Sequence, residues 1–169
     1  DTLLLSVGLL PENELSRKAG ISMSTVTGGP VVDNNFQTDS DGIFACGNVL
    51  HVHDLVDYVS SEAEKAGENA ALYALYDRKE EKKVIPISVL ARYTVPEMIH
   101  EDTKEDTTIR FRVSNVKKDG KIVVRINGEE VISKKKRIMA PGEMETIIIS
   151  KRILDKYDSI ESMEVGTED

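Results

Sequence analysis

The sequence contains one cysteine, Cys46, so no internal disulfide can form. That fits a reducing, cytoplasmic setting. Positive charge is in deficit: 22 Lys and Arg stand against 30 Asp and Glu, for a net charge of −8 and a pI near 5.0. A surface of that sign repels phosphate, which argues against nucleic acid or an anionic membrane as the main partner. No apolar run approaches the ~20 residues needed to span a bilayer. The apolar start, LLLSVGLL, is short and lacks the basic flank of a signal peptide. A GxGxxG turn between strand and helix is missing, and so is any cysteine pair. The rest is ordinary for a globular protein, 40% hydrophobic and 31% charged. Its 169 residues suffice for one domain or two small ones.

Residues 2–7, TLLLSV, read as a strand buried on both faces, as in a parallel sheet. LLPENELSRKAGI reads as a turn and a short helix stopped by Gly20. GGPVVDNNFQTDSDG is turn-rich, with a short strand pair expected around Val31–Val32 and Phe36–Gln37. GIFACGN reads as a second buried strand, ending on Gly47–Asn48. Asp54 is placed to cap the next helix, where Leu55, Val56, Val59, Ala63, Ala66, Ala70, Ala71 and Ala74 recur at helical spacing. Gly67 inside that helix costs about 1 kcal/mol relative to Ala and is expected to permit close packing. DRKEEKK (77–83) reads as a solvated charged linker.

After the linker the period changes from 3.6 to 2. Ile87, Val89, Ala91, Tyr93 and Val95 alternate with polar positions, Ile109, Phe111 and Val113 alternate with Arg110 and Arg112, and Ile122, Val124 and Ile126 follow. Asp119–Gly120 and Asn127–Gly128 are hairpin signals, because both tolerate positive φ. Ala140–Pro141–Gly142 marks another turn, and a last strand is expected near Ser162–Val165. Short strands at this spacing indicate a β-sandwich whose inner face takes in Val89, Phe111, Val124 and Ile148. The predicted fold is thus an incomplete α/β segment over residues 1–80 followed by an all-β sandwich domain over 84–169. Two strands and one helix cannot cover their own apolar faces. The missing strands are therefore expected upstream of Asp1 or from a partner.

Three stretches carry a family resemblance. In TLLLSVGLLPENEL a hydrophobic strand is followed by Gly8, Pro11 and Asn13. In FQTDSDGIFACGN, Thr38, Gly42, Ile43, Phe44, Ala45 and Gly47 fit a T-x-x-x-G-[IV]-[FY]-A-x-G-D pattern. In HDLVDYVSSEAEKAGENAAL, Ala66–Ala71 fits A-G-E-x-A-A. Residues 1–76 thereby resemble the C-terminal segment of the pyridine nucleotide–disulfide oxidoreductases, the two-dinucleotide-binding-domain flavoproteins. Within that family the branch they resemble is that of anaerobic glycerol-3-phosphate dehydrogenase and sarcosine oxidase α-type subunits. The resemblance implies a Rossmann-like FAD/NAD(P)-binding segment, with FAD and NAD or NADP as cofactors in the full-length protein. It implies flavin contacts at Gly47, Asn48, Val56 and Asp57. Glycine at 47 lets a ligand approach the backbone, position 48 meets a ribityl hydroxyl, and helix-start N–H groups near Val56 and Asp57 meet the pyrimidine edge. Asn48 departs from the family's Asp, keeping an acceptor oxygen but not the charge.

The remaining candidates have bland readings beside their functional ones. His51 and His53 could be metal ligands, but no second cluster at zinc spacing accompanies them, so no metal is assigned. They either line the flavin edge or substrate side, or are ordinary loop residues. Cys46 reads as an inert core thiol. The basic run Lys134–Arg137 reads as a protected edge strand. Asp57, Glu62 and Glu64 read as a solvated helix face. Two functions follow. One is a C-terminal piece of an FAD-dependent, NAD(P)-linked oxidoreductase that forms one wall of the flavin site, inactive without the rest of its parent enzyme. The other is a β-sandwich docking or oligomerisation module, acting as a homo-oligomer or with a partner subunit, with an accessory α/β segment.

Overall fold

The computed structural model describes residues 2–4, 8–76 and 83–169. The short helix α1 (Glu14–Lys18) forms as read, and Gly20 ends it at φ +76°, open to glycine without a Cβ penalty. The two expected N-terminal strands do not form among the described residues. Residues 2–4 are irregular, with Leu3 and Leu4 82% and 90% exposed, while residues 5–7 of the expected strand lie outside the described residues. GIFACGN pairs only as an isolated bridge between Phe44 and Gln37, and a second bridge joins Met23 to Pro30, not the Val31–Val32 pair. Side-chain bonds bend the chain locally instead. The buried Thr38 hydroxyl donates to the carbonyls of Ser40 and Ile43, closing a tight turn where a parallel strand would need neighbours on both sides.

Helix α2 spans Val56–Tyr76. Asp54 does not cap it; its carboxylate is committed to Arg112 and to the Met144 N–H. Only Glu62 and Ala66 of this helix are buried, and a Cβ at Gly67 would meet nothing within 4 Å, so that glycine serves no close packing. Close approach occurs at Gly42, where a Cβ would come within 2.9 Å of the Tyr73 ring. The expected linker at 77–83 lies outside the described residues except for Lys83.

The β part is built from β1 (Val84–Leu90), β2 (Tyr93–Val95), β3 (Met98–His100), β4 (Thr107–Arg112), β5 (Lys117–Ile126), β6 (Glu129–Met139), β7 (Glu145–Ile149), the short helix α3 (Lys151–Leu154) and β8 (Met163–Glu168). Five strands form one sheet in the order β3-β1-β8-β5-β6, and three form another in the order β2-β4-β7. The β1–β8 pair is parallel and the rest are antiparallel. Both sheets contribute to one core that includes Ile85, Ile109, Phe111, Ile122, Val124, Ile149 and Met163.

Asn127 and Gly128, both at positive φ, form the expected hairpin between β5 and β6. Asp119–Gly120 does not turn: it lies inside β5, where the β8 backbone passes 2.8 Å from a Cβ position on Gly120. Phe111 and Val124 are fully buried, but Val89 and Ile148 are 39% and 56% exposed. The buried set on β1 is Ile85 and Ile87, and on β7 it is Ile147 and Ile149. Alternation on β7 therefore turns Ile148 outward. β6 is an edge strand, as its lysines suggested.

A second, smaller core ties the two halves together. Val32, Phe36, Leu50 and Ala66 pack with Tyr93 and Val95 of β2. Backbone N–H groups of Glu97 and Met98 donate to the Val32 carbonyl, and the His100 N–H donates to Asn34 Oδ1.

Candidate functional site

The site lies between the 3₁₀ turn Gly47–Val49, the loop that follows it, and the second turn of α2. Asn13 fixes the turn from behind: its buried amide donates to the Val49 and Gly28 carbonyls at 2.7 and 3.2 Å. Gly47 adopts φ +71°, which favours glycine, and a Cβ there would press Val59 at 3.1 Å. Its N–H donates to Glu62 Oε2 at 3.0 Å. Asn48 is exposed, and its Oδ1 accepts the His53 backbone N–H at 3.2 Å and lies 3.3 Å from His53 Nδ1.

Glu62 is the hub. It is 1% exposed, and its Oε1 has three nitrogen neighbours: His53 Nε2 at 2.9 Å, Arg110 Nη1 at 3.1 Å and His51 Nε2 at 3.4 Å. The contact from Arg110 is a donated hydrogen bond. His53 Nε2 is buried and close, but is not aligned to bond. His51 is itself buried, and its Nδ1 lies 3.3 Å from the Tyr93 hydroxyl of β2. The Arg110 guanidinium sits over the Tyr58 ring, 5.0 Å from its centre.

Burial by itself would raise the Glu62 carboxyl; the adjoining His51 and His53 outweigh it and hold the group at about 2. Burial pushes His51 below the ordinary histidine range, against the pull of Glu62. Burial also raises the Cys46 thiol, and the Glu62 charge raises it further, so this half-buried cysteine is not an activated nucleophile.

A second ion pair closes the site from the β side. Arg112 donates to Asp54 Oδ1 at 2.5 Å, to the Val52 carbonyl and to the Gly142 carbonyl, while Asp54 Oδ2 accepts the Met144 N–H at 2.7 Å. Burial raises the Asp54 carboxyl, but these bonds hold it below the usual carboxylate range.

The structure thus brings Gly47, Asn48, His51 and His53 into one cluster. Val56 and Asp57 stand apart from it, exposed in the first turn of α2. Asp57 and Glu64 are exposed as expected, but Glu62 is not on a solvated face. No local signal marked it, since a glutamate within SSEAEKA reads as any solvent-facing helix position. Arg110 and Arg112 were read only as the polar side of an alternating strand. That side of β4 faces the N-terminal half rather than water.

Residues 1–70 match the family model described as pyridine nucleotide-disulphide oxidoreductase. That match supports the family for this stretch and does not separate its branches. No curated protein and no solved structure matched the chain. The matched stretch contains Asn13, Thr38, Gly42, Gly47 and Glu62 and stops short of Tyr93, Arg110 and the rest of the β part. Among the described residues, no helix is long and apolar enough to cross a membrane.

Proposed function

We propose that residues 42–57 form one wall of the flavin site of an FAD-dependent, NAD(P)-linked oxidoreductase, of which this chain is a C-terminal part. The observation that carries this reading is the family match over residues 1–70, which contains the whole segment. Several features of the segment fit a flavin. The first turn of α2 leaves N–H groups at Val56 and Asp57 without intrahelical acceptors, and Asn48, Leu55, Val56 and Asp57 are all exposed. The helix N-terminus favours negative charge on a ligand there.

The fit also refines two roles. The Gly47 N–H is spent on Glu62, so this glycine contributes shape and its carbonyl rather than a donor. Asn48 Oδ1 is committed to His53, so the amide N–H₂ is what it offers a ribityl hydroxyl. A bound flavin supplies hydride exchange with a nicotinamide. The residues here bind and orient it. His51 and His53 support the wall from inside. The exposed apolar residues Leu3, Leu4, Leu75 and Tyr76 suit burial against the remainder of the parent enzyme or a partner subunit.

The test is a titration of the ¹⁵N-labelled chain with FAD. The amides of Gly47, Asn48, Val56 and Asp57 should shift together, with weak affinity. A few hydrogen bonds of ~1 kcal/mol each barely offset the several kcal/mol of freedom lost on association. The chain should not oxidise NADH with an artificial acceptor. Shifts confined to other surfaces, or no shift at these four amides, would overturn the reading.

A further inference from the structure

We propose that His51 Nε2, His53 Nε2 and Glu62 Oε1 bind a divalent transition-metal ion of the zinc type. The inference stands apart from the flavin reading. These three atoms all lie within 4.8 Å of one another, and the two histidine nitrogens are 3.4 and 2.9 Å from the carboxylate oxygen. Donors about 2.0–2.2 Å from a tetrahedral ion are themselves roughly 3.3 Å apart, so the two carboxylate–imidazole spacings suit a shared ion.

The decisive detail is His53. Its Nδ1 faces Asn48 Oδ1, an oxygen whose orientation is fixed because it also accepts the His53 backbone N–H. An amide oxygen only accepts, so Nδ1 carries the proton. Nε2 lies 2.9 Å from the ionised carboxylate oxygen, buried, and is not aligned to donate to it. With the ring's one proton on Nδ1, the Nε2 lone pair is directed beside that oxygen rather than along the contact, where a cation shared by both would stand. A metal ion placed on both lone pairs and on His51 Nε2 satisfies the contact.

The supporting shell has the form that metal ligands need, with the far nitrogen of each ring and the second carboxylate oxygen held by other groups. Asn48 holds His53, the Tyr93 hydroxyl faces His51 Nδ1, and the Gly47 N–H holds Glu62 Oε2. Two imidazoles and one carboxylate suit Zn²⁺ or Co²⁺ and not the all-oxygen preference of Ca²⁺ or Mg²⁺. Arg110 shares the ligating oxygen at 3.1 Å. Its charge opposes the ion, so affinity falls below that of a closed four-ligand zinc site. The ion would clamp the 51–53 loop onto α2.

The experiment adds Co²⁺ to the tag-free chain and records visible ligand-field absorption, with Zn²⁺ as competitor and thermal melting in parallel. The expected result is one saturable site of tetrahedral intensity, displaced by Zn²⁺, with a raised melting temperature. His53→Gln, which leaves the Glu62–Arg110 pair intact, should abolish it. Asn48→Leu should weaken it about 10–100-fold through the freed ring. Arg110→Met should tighten it, and His100→Gln, at the separate His100–Asp33 pair, should leave it unchanged. No saturable binding at millimolar metal, or binding that survives His53→Gln, would overturn the proposal; the charge between His53 and Glu62 would then be a proton.

Discussion

Glu62 carries a full negative charge into the interior, where Arg110, two histidines and a glycine N–H surround it. Arg110 and two histidines share one oxygen, and a glycine N–H takes the other. Such a cluster is costly to break on one side. Glu62→Gln leaves the buried Arg110 guanidinium without its counter-charge, and the expected loss is ~3–5 kcal/mol, read from urea midpoints in chelated buffer. The same residue sets an acid limb. Its folded carboxyl sits at about 2 against an ordinary 4.5. Its contribution is complete above the unfolded value and fades as pH falls through the folded one. Metal-free protein should therefore lose stability progressively below about pH 4.5, and Glu62→Gln should flatten that limb. An unaltered acid limb in the variant would move the effect to another carboxylate, with Asp54 next in line.

At the scale of elements, glycines separate required from incidental backbone. Gly67 sits mid-way along α2 with open space where a Cβ would be. Gly67→Ala should stabilise the chain by about 0.5–1 kcal/mol through helix propensity and a stiffer unfolded chain, measured as a higher melting temperature. Gly29 is the opposite case: a Cβ there would stand 2.1 Å from the Leu50 carbonyl oxygen, against backbone that cannot yield. Gly29→Ala should prevent folding or leave an ensemble without tertiary signal in near-ultraviolet circular dichroism. Equal effects of the two substitutions would mean that the Gly29–Leu50 approach is not a constraint in solution. The element-level surprise is β4. Its apolar residues Ile109 and Phe111 enter the main core, while Arg110 and Arg112 cross to Glu62 and Asp54, so one strand serves both halves.

For the whole molecule, this double service implies cooperativity. The small core joins Phe36 and Leu50 to Tyr93 and Val95, and two ion pairs flank it. The helical signal at 222 nm comes mostly from α2, while tyrosine fluorescence reports Tyr93 among others. The two should follow one denaturation curve, with coincident midpoints. Two separated transitions, with the helix lost first, would show that the halves fold independently and that the shared core is too small to couple them.

The sequence by itself determined the places where local rules decide. The 3.6-residue period of 56–76 and the period of 2 beyond residue 84 fix helix and strands, because each face repeats within a few residues. Asn127–Gly128 fixes a hairpin through positive φ, and the edge lysines of β6 show in composition. Glycine at 47 suits the positive φ of +71° that the chain takes there. Tertiary structure decided the rest. TLLLSV and GIFACGN read as buried strands, yet an apolar run becomes a parallel strand only when neighbours on both sides accept its hydrogen bonds, and among the described residues none do. Asp119–Gly120 has the same hairpin chemistry as Asn127–Gly128 but is held within β5 by the close passage of β8. Glu62 looks like any surface glutamate until Arg110, 48 residues away, arrives beside it. No local pattern encodes a charge partner at that separation. Only the fold brings it there, and it turns an ordinary helix position into the centre of the site.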